Sequence, residues 1–141
     1  MKKITKSEKE TFDFAQDFAR KLKGGETIGL VGDLGAGKTI FTKGLAKGLG
    51  VKQTIASPTF VLMKVCPIQN SKLKIKNLVH IDSYRIKNKN DLISLGVEEY
   101  IDRDDAIVVI EWADRVKKIL PKKTKFIKLS NKIGDKREIV Y

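Results

Sequence analysis

The chain has 141 residues, 41% apolar and 33% charged, which fits one soluble globular domain and excludes a disordered or fibrous chain. Its longest apolar run, Ala106–Ile110, falls far short of the roughly 20 residues a membrane span needs. Its single cysteine, Cys66, excludes an internal disulfide and a cysteine-built zinc site. The net charge of +12 favours polyanions or an acidic partner. Yet 24 of the 29 basic residues are Lys and five are Arg, set among many Ile and Asn, so compositional bias explains most of the charge. The first ten residues carry charge but no apolar core, so no secretory signal is expected and the cytoplasm is the expected location.

In chain order, Ser7 and Glu10 form an S-x-x-E capping box. Thr11, Phe14, Ala15, Phe18, Ala19 and Leu22 follow at helical spacing, which predicts an amphipathic helix over residues 8–22, closed by Gly24 and Gly25. Glu26–Val31 reads as a buried strand, Gly32–Gly37 as a glycine-bearing loop and Lys38–Leu49 as a second helix ended by Gly50. Phe60–Cys66 and Leu73–Asp82 are predicted strands around a polar turn. Asp91–Ile101 reads as an acidic helix and Ala106–Glu111 as the most apolar strand of the chain. Ala113–Leu120 is a predicted short helix, and Thr124–Ser130 and Glu138–Tyr141 are predicted strands around Gly134 and Asp135. No repeat or linker interrupts this order. Residues 1–141 are therefore expected to form one α/β domain, with a mostly parallel central sheet, helices on both faces and antiparallel additions.

Gly32-Asp33-Leu34-Gly35-Ala36-Gly37-Lys38-Thr39 matches G-x-x-x-x-G-K-[ST], the phosphate-binding loop. Its glycines permit close approaches that a Cβ would block. The loop N–H groups turn toward phosphate oxygens, and the following helix adds the positive end of its dipole. The domain is thus expected to be P-loop-like, with Asp33, Gly35, Ala36, Gly37, Lys38, Thr39 and Ile40 binding the nucleotide. Lys38 is expected to neutralise the β and γ phosphates, and the Thr39 hydroxyl to bind Mg²⁺. Such a loop needs a second acid at the end of a buried strand. Glu111, after Ile107–Ile110, supplies it, to hold the metal shell, orient water, or both. Asn88-Lys89-Asn90-Asp91 matches the guanine-reading N-K-x-D pattern, but it precedes the acidic strand and no Asp in the chain has Gly three residues later. ATP and ADP are therefore the expected ligands.

Four motifs stand in order: Gly32–Thr39, Ser57-Pro58-Thr59-Phe60, His80-Ile81-Asp82-Ser83-Tyr84-Arg85 and Ile110-Glu111-Trp112. Together, in a chain this small, they resemble the TsaE (YjeE) family of bacterial ATPases required for the threonylcarbamoyl modification of adenosine in tRNA. The resemblance runs from the first helix to just past Trp112, and the C-terminal segment matches nothing distinctive. It implies a Mg²⁺-dependent, weakly hydrolytic ATP-binding accessory protein. It also implies association with the transferase TsaD and its partner TsaB, only indirect contact with tRNA, and Thr11 near the base.

Read from the residues, Pro58 extends Ser57, and Ser57 and Thr59 either sense the γ-phosphate as a switch or turn the chain into the next strand. His80, Asp82 and Tyr84 alternate onto one strand face. Asp82 is expected to act in catalysis, holding the water shell of Mg²⁺ or orienting the attacking water; its other reading is a turn cap. Arg85 pairs either with phosphate or with an acid in residues 91–105. His80, the only histidine, is not expected to bind zinc, and Trp112 is expected to pack rather than stack on adenine. Of the ten aromatic residues, Tyr84, Trp112 and Tyr141 have no place in a periodic apolar pattern.

The alternative reading is a small-molecule or nucleoside kinase, which usually carries an Arg-rich lid; five unclustered Arg argue against it. Only Arg85 falls in a motif, while Arg20, Arg103, Arg115 and Arg137 do not. The lone chain is therefore expected to turn over slowly and to be completed by partners. The basic segment 51–90 and the acidic segment 91–114 are expected to give the surface around the nucleotide both signs of charge.

Overall fold

The apolar run Ala106–Ile110 forms, with Glu111, a strand buried along its whole length, as an interior strand flanked on both sides must be. The computed structural model describes residues 1–56, 62–69 and 72–141. Its elements are β1 (Lys2–Thr5), α1 (Glu8–Ala19), β2 (Thr27–Val31), α2 (Lys38–Leu49), β3 (Met63–Pro67), β4 (Asn77–Asp82), α3 (Lys89–Ser94), β5 (Ala106–Glu111), β6 (Lys125–Asn131) and β7 (Arg137–Val140). Short 3₁₀ turns lie at Val97–Glu99, Ala113–Arg115 and Lys117–Ile119. Among the described residues the strands form one sheet in the order β1-β7-β6-β2-β5-β4-β3. The central four, β6, β2, β5 and β4, run parallel. Antiparallel strands finish both edges, β3 beside β4 and the β7–β1 pair beside β6.

Alternation along the strands divides the core in two. Ile28, Leu30, Ile107, Val109, Ile127 and Leu129 face α1 and α2, meeting Ala15, Ala19, Phe41, Leu45 and Leu49. Val79, Ile81, Val108 and Ile110 face the other way, under Ile86, Leu92, Val97, Val116 and Leu120. That second face is covered by the short α3 and the 3₁₀ turns rather than by long helices.

The local signals at α1 operate as read. The Ser7 hydroxyl accepts from the Glu10 N–H at 3.1 Å, and the Glu10 carboxylate accepts from the Lys6 N–H at 2.7 Å. Helix α1 stops at Ala19 rather than Leu22, because the chain tightens into i→i+3 bonds from Lys21 to Phe18 and from Leu22 to Ala19. Leu22 still reaches the core. Helix α2 ends at Gly50 in a left-handed cap.

Other expected elements are corrected. Residues 91–101 are not one helix: α3 ends at Ser94, and Gly96, at φ 82°, separates it from the turn at Val97–Glu99. Ala113–Leu120 is not an α-helix either. Its bonds run i→i+3, from Arg115 to Trp112, Val116 to Ala113 and Ile119 to Val116. Apolar residues three apart eclipse in a 3₁₀ turn and suit that geometry. The strand predicted over 73–82 begins only at Asn77, and the preceding N–H of Lys76 donates to Asp105 O. Strand β1 is not predicted at all: it has no strong sequence signal, being mostly polar and half Lys, and it exists because β7 offers it an edge. The strand predicted from Phe60 is β3 from Met63; residues 57–61 lie outside those described.

Helices α1 and α2 touch backbone to side. A Cβ on Gly44 would lie 2.4 Å from Phe12 O and 2.7 Å from Ala15 Cβ, and Gly48 repeats the contact one turn on at Gln16 O. Gly44→Ala should therefore destabilise the fold by about 1–3 kcal/mol through overpacking, despite the roughly 1 kcal/mol that alanine gains in helix propensity. Urea unfolding checks this; a raised midpoint would show that the helices separate freely.

Candidate nucleotide-binding site

Strand β2 delivers the chain to Gly32 at the carboxyl edge of the sheet. A Cβ there would stand 2.4 Å from Leu129 O on β6, so only glycine lets the loop leave β2 so close to its neighbour. The loop closes at Gly37, the left-handed N-cap of α2, which has no side chain to cap the helix. The first N–H groups of α2 therefore remain directed at the loop, as an anion site requires.

Lys38 is buried beneath this loop. Its ammonium donates to Gly32 O at 2.6 Å and Asp33 O at 2.8 Å, and lies 3.9 Å from the centre of the Trp112 ring. Burial pulls the Lys38 ammonium below the usual lysine range; Glu111 most, then Asp114, Asp33 and Asp82, act against that. Thr39, the next residue, donates its hydroxyl to Glu111 Oε1 at 3.0 Å. Glu111 Oε2 lies 2.5 Å from His80 Nε2. Parallel pairing sets Asp82 directly beside Glu111, and the Asp82 carboxylate accepts from the Tyr84 N–H at 2.9 Å. Asp82 thus caps the turn after β4 and also stands next to the second acid.

Lys38, Thr39 and Glu111 open onto a cleft of about 290 Å³, lined also by Thr11, Gly35, Gly37, Ile40 and Trp112; Asp82 and His80 are not among its lining residues. Thr11 is buried there, its hydroxyl bonded to Thr5 and to Ser7 O. Asp33 is exposed on the loop, and Ala36 is buried with its N–H given to Asp33 O at 3.0 Å. Arg85 lies exposed in the turn after β4 and does not line this cleft. Ser57 and Thr59 lie outside the described residues. The Thr39 hydroxyl and Glu111 carboxylate are hard oxygen donors, the type Mg²⁺ takes. Among the described residues no cluster of three or more His, Cys, Asp or Glu forms a complete cage.

Trp112, at φ 57°, packs on its neighbours and also lines the cleft. Its ring meets Tyr84 edge-on at 5.0 Å, and the Arg115 guanidinium covers Tyr84 at 4.4 Å. Tyr141 is not free of a core role: it packs against Phe14 and Phe18. Asn88–Asp91 is a helix cap, with Asn88 Oδ1 accepting from the Asp91 N–H, and it lies outside the cleft.

The residue missed in the sequence is Arg137. Its guanidinium donates to Gly35 O at 3.2 Å, Gly134 O at 3.4 Å and Lys136 O at 3.0 Å, so it ties the β6–β7 turn to the phosphate loop. With Asp135 it lines the cleft. No local motif marks it. The available signal was topological: once β6 lies parallel to β2, the turn after β6 must fall beside the loop after β2.

A single α/β domain with a glycine loop between β2 and α2, and an acid closing the adjacent parallel strand, has the architecture of a P-loop protein. The family model described as "Threonylcarbamoyl adenosine biosynthesis protein TsaE" matches residues 5–139, and the chain belongs to the TsaE family. A relative in Treponema pallidum, named tRNA threonylcarbamoyladenosine biosynthesis protein TsaE, is 37% identical over 139 residues, covering 99% of this chain and 98% of its own. The protein of the same name in Bacillus subtilis is 35% identical, covering 97% of this chain and 82% of its own. The crystal structure of Bacillus subtilis YdiB matches with a TM-score of 0.78 at 33% identity, covering 99% of this chain and 82% of that one. Among the described residues, no helix is long and apolar enough to cross a membrane.

The depressed Lys38 has a pH consequence. Its folded pKa lies below its unfolded value of 10.5, so between the two the unfolded chain holds more protons and stability rises with pH. Wild type should therefore gain stability relative to Lys38→Met as pH climbs from neutrality toward that value. Denaturant unfolding of both proteins at several pH values checks the sign.

Proposed function

We propose that this chain binds and hydrolyses ATP with Mg²⁺ in this cleft, and that it does so in support of tRNA threonylcarbamoyladenosine formation, alongside TsaD and TsaB. The observation that supports this best is the Thr39–Glu111 contact at the mouth of the phosphate loop, in a chain whose relatives are named for that modification.

In this reading the loop N–H groups and the start of α2 bind the phosphates. Lys38 trades its two loop carbonyls for β and γ phosphate oxygens, and its short tether to Trp112 keeps it at the loop. Mg²⁺, held by Thr39 and Glu111, would supply neutralising charge on the phosphates. Asp82 accepts a hydrogen bond from the attacking water, which adds to the γ-phosphorus as the bond to ADP breaks, leaving ADP and inorganic phosphate. Arg137 holds the loop from outside, its donors engaged by backbone carbonyls. A single domain with a cleft this open excludes water poorly, so partners complete the site and turnover alone is slow. Hydrolysis resets or regulates the transferase complex.

Steady-state phosphate release with and without TsaB and TsaD tests this. The lone chain should turn over slowly and the partners should raise the rate. Lys38→Ala should abolish hydrolysis, and Asp82→Asn should lower kcat more than nucleotide affinity. GTP should bind at least about tenfold more weakly than ATP, about 1.4 kcal/mol. Fast turnover by the lone chain, unchanged by partners, would refute the partner-completed site; equal calorimetric affinity for GTP would refute the adenine assignment.

A further inference from the structure

His80 is the only histidine of the chain, and it is 1% exposed in a strand whose other inward residues are apolar. An apolar residue would fill that place without any polar atom to satisfy. Instead His80 Nε2 meets Glu111 Oε2 at 2.5 Å, while the Thr39 hydroxyl takes Glu111 Oε1 at 3.0 Å. The two oxygens of one buried carboxylate are thus held from two directions, by β4 and by α2. The other ring nitrogen, Nδ1, has no hydrogen-bond partner among the described residues. Buried polar atoms are normally paired, so among the described residues the ring is placed for its Nε2 contact alone.

A glutamate side chain has three rotatable bonds, and a metal-side carboxylate must present one oxygen at a fixed point. Opposite Glu111 on β4 stands Asp82, and one alternation earlier stands His80, so the imidazole approaches the carboxylate from the strand side. That leaves Oε1 directed toward Thr39 and the cleft. We propose that His80 is a positioning residue for the divalent cation of the bound nucleotide. It donates Nε2–H to Glu111 and so aims the carboxylate at the point that the Thr39 hydroxyl also faces. The inference rests on the reading of Glu111 as a metal-side acid. The contact is the carboxylate counterpart of the partners that orient metal-ligating side chains elsewhere, whose loss typically costs about 10–100-fold in metal affinity.

The test is calorimetric ADP binding to the full chain across a Mg²⁺ series and in EDTA, for His80→Ala, His80→Gln and Glu111→Gln. His80→Ala should raise the Mg²⁺ concentration giving half the metal-dependent gain in affinity by about 10–100-fold. Its metal-free ADP affinity should stay within about twofold of wild type. His80→Gln restores an N–H donor near the Nε2 position and should recover most of the loss. Where His80→Ala does not fold, His80→Phe, which is bulky and lacks a donor, takes its place. Equal losses with and without Mg²⁺, or no loss at all, would make His80 a structural residue and overturn the proposal. If Glu111→Gln leaves the Mg²⁺ dependence intact, the metal-side reading of Glu111 falls and the proposal falls with it. If Glu111→Gln shifts that dependence and the His80 variants do not, only the proposal falls.

Discussion

The parallel pairing of β2 with β5 places every chemically active group of this domain. Leu30 on β2 lies beside Glu111 on β5, so the two strands end at the same edge within a residue or two. The chain leaving β2 becomes the phosphate loop, and the residue ending β5 becomes the acid facing it. The same edge receives Asp82 from β4, which pairs with β5 in the same direction. It also receives the β6–β7 turn, because β6 pairs with the far side of β2. Four parallel strands thus convert distant sequence positions into one short edge, where open α/β sheets bind ligands.

A buried lysine is the group this arrangement must accommodate. An ammonium removed from water is costly unless hydrogen-bonded and surrounded by negative potential. Two loop carbonyls, the face of Trp112 and the nearby carboxylates provide that setting. Trp112 occupies its place by taking φ 57°, one of two positive values at non-glycine positions among the described residues. Bulky residues adopt that conformation at a cost of order 1–3 kcal/mol, and such strain gathers at functional sites. Here the strain sits one residue after Glu111 and turns the indole back over Lys38.

What the sequence made legible was local. A capping box, an eight-residue loop and an apolar run followed by an acid each act through bonds spanning a few residues, so their spacing carries the signal. Arg137 and the His80–Glu111 contact were not legible, because each depends on which strands become neighbours. The only clue to His80 was its alternation with Asp82, which put both on one face without saying what faced them. The short elements failed for another reason. Ala113–Leu120 and Asp91–Ile101 carry apolar residues at intervals that α and 3₁₀ geometry both accept over one turn. Trp112 and Gly96, through their positive φ, decided between them. β1 has almost no signal of its own, and its pairing with β7 creates it.

The charge pattern changes meaning once the fold is known. The acidic segment 91–114 does not lie around the cleft as one surface. Asp102, Asp104 and Asp105 precede β5, at the sheet edge opposite the phosphate loop, and pair there with Lys123, Lys74 and Arg103. Such exposed pairs contribute little stability, but they neutralise much of the acidic segment where it stands. The charged groups that line the cleft are Glu8, Glu111 and Asp135 beside Lys38 and Arg137. The cleft lining therefore carries both signs of charge, as expected, but only Glu111 of them comes from segment 91–114. The screening length at physiological salt is about 8 Å, so salt acts chiefly on exposed lining groups such as Asp135. The contacts of Lys38, which is buried, stay within the loop and are screened far less.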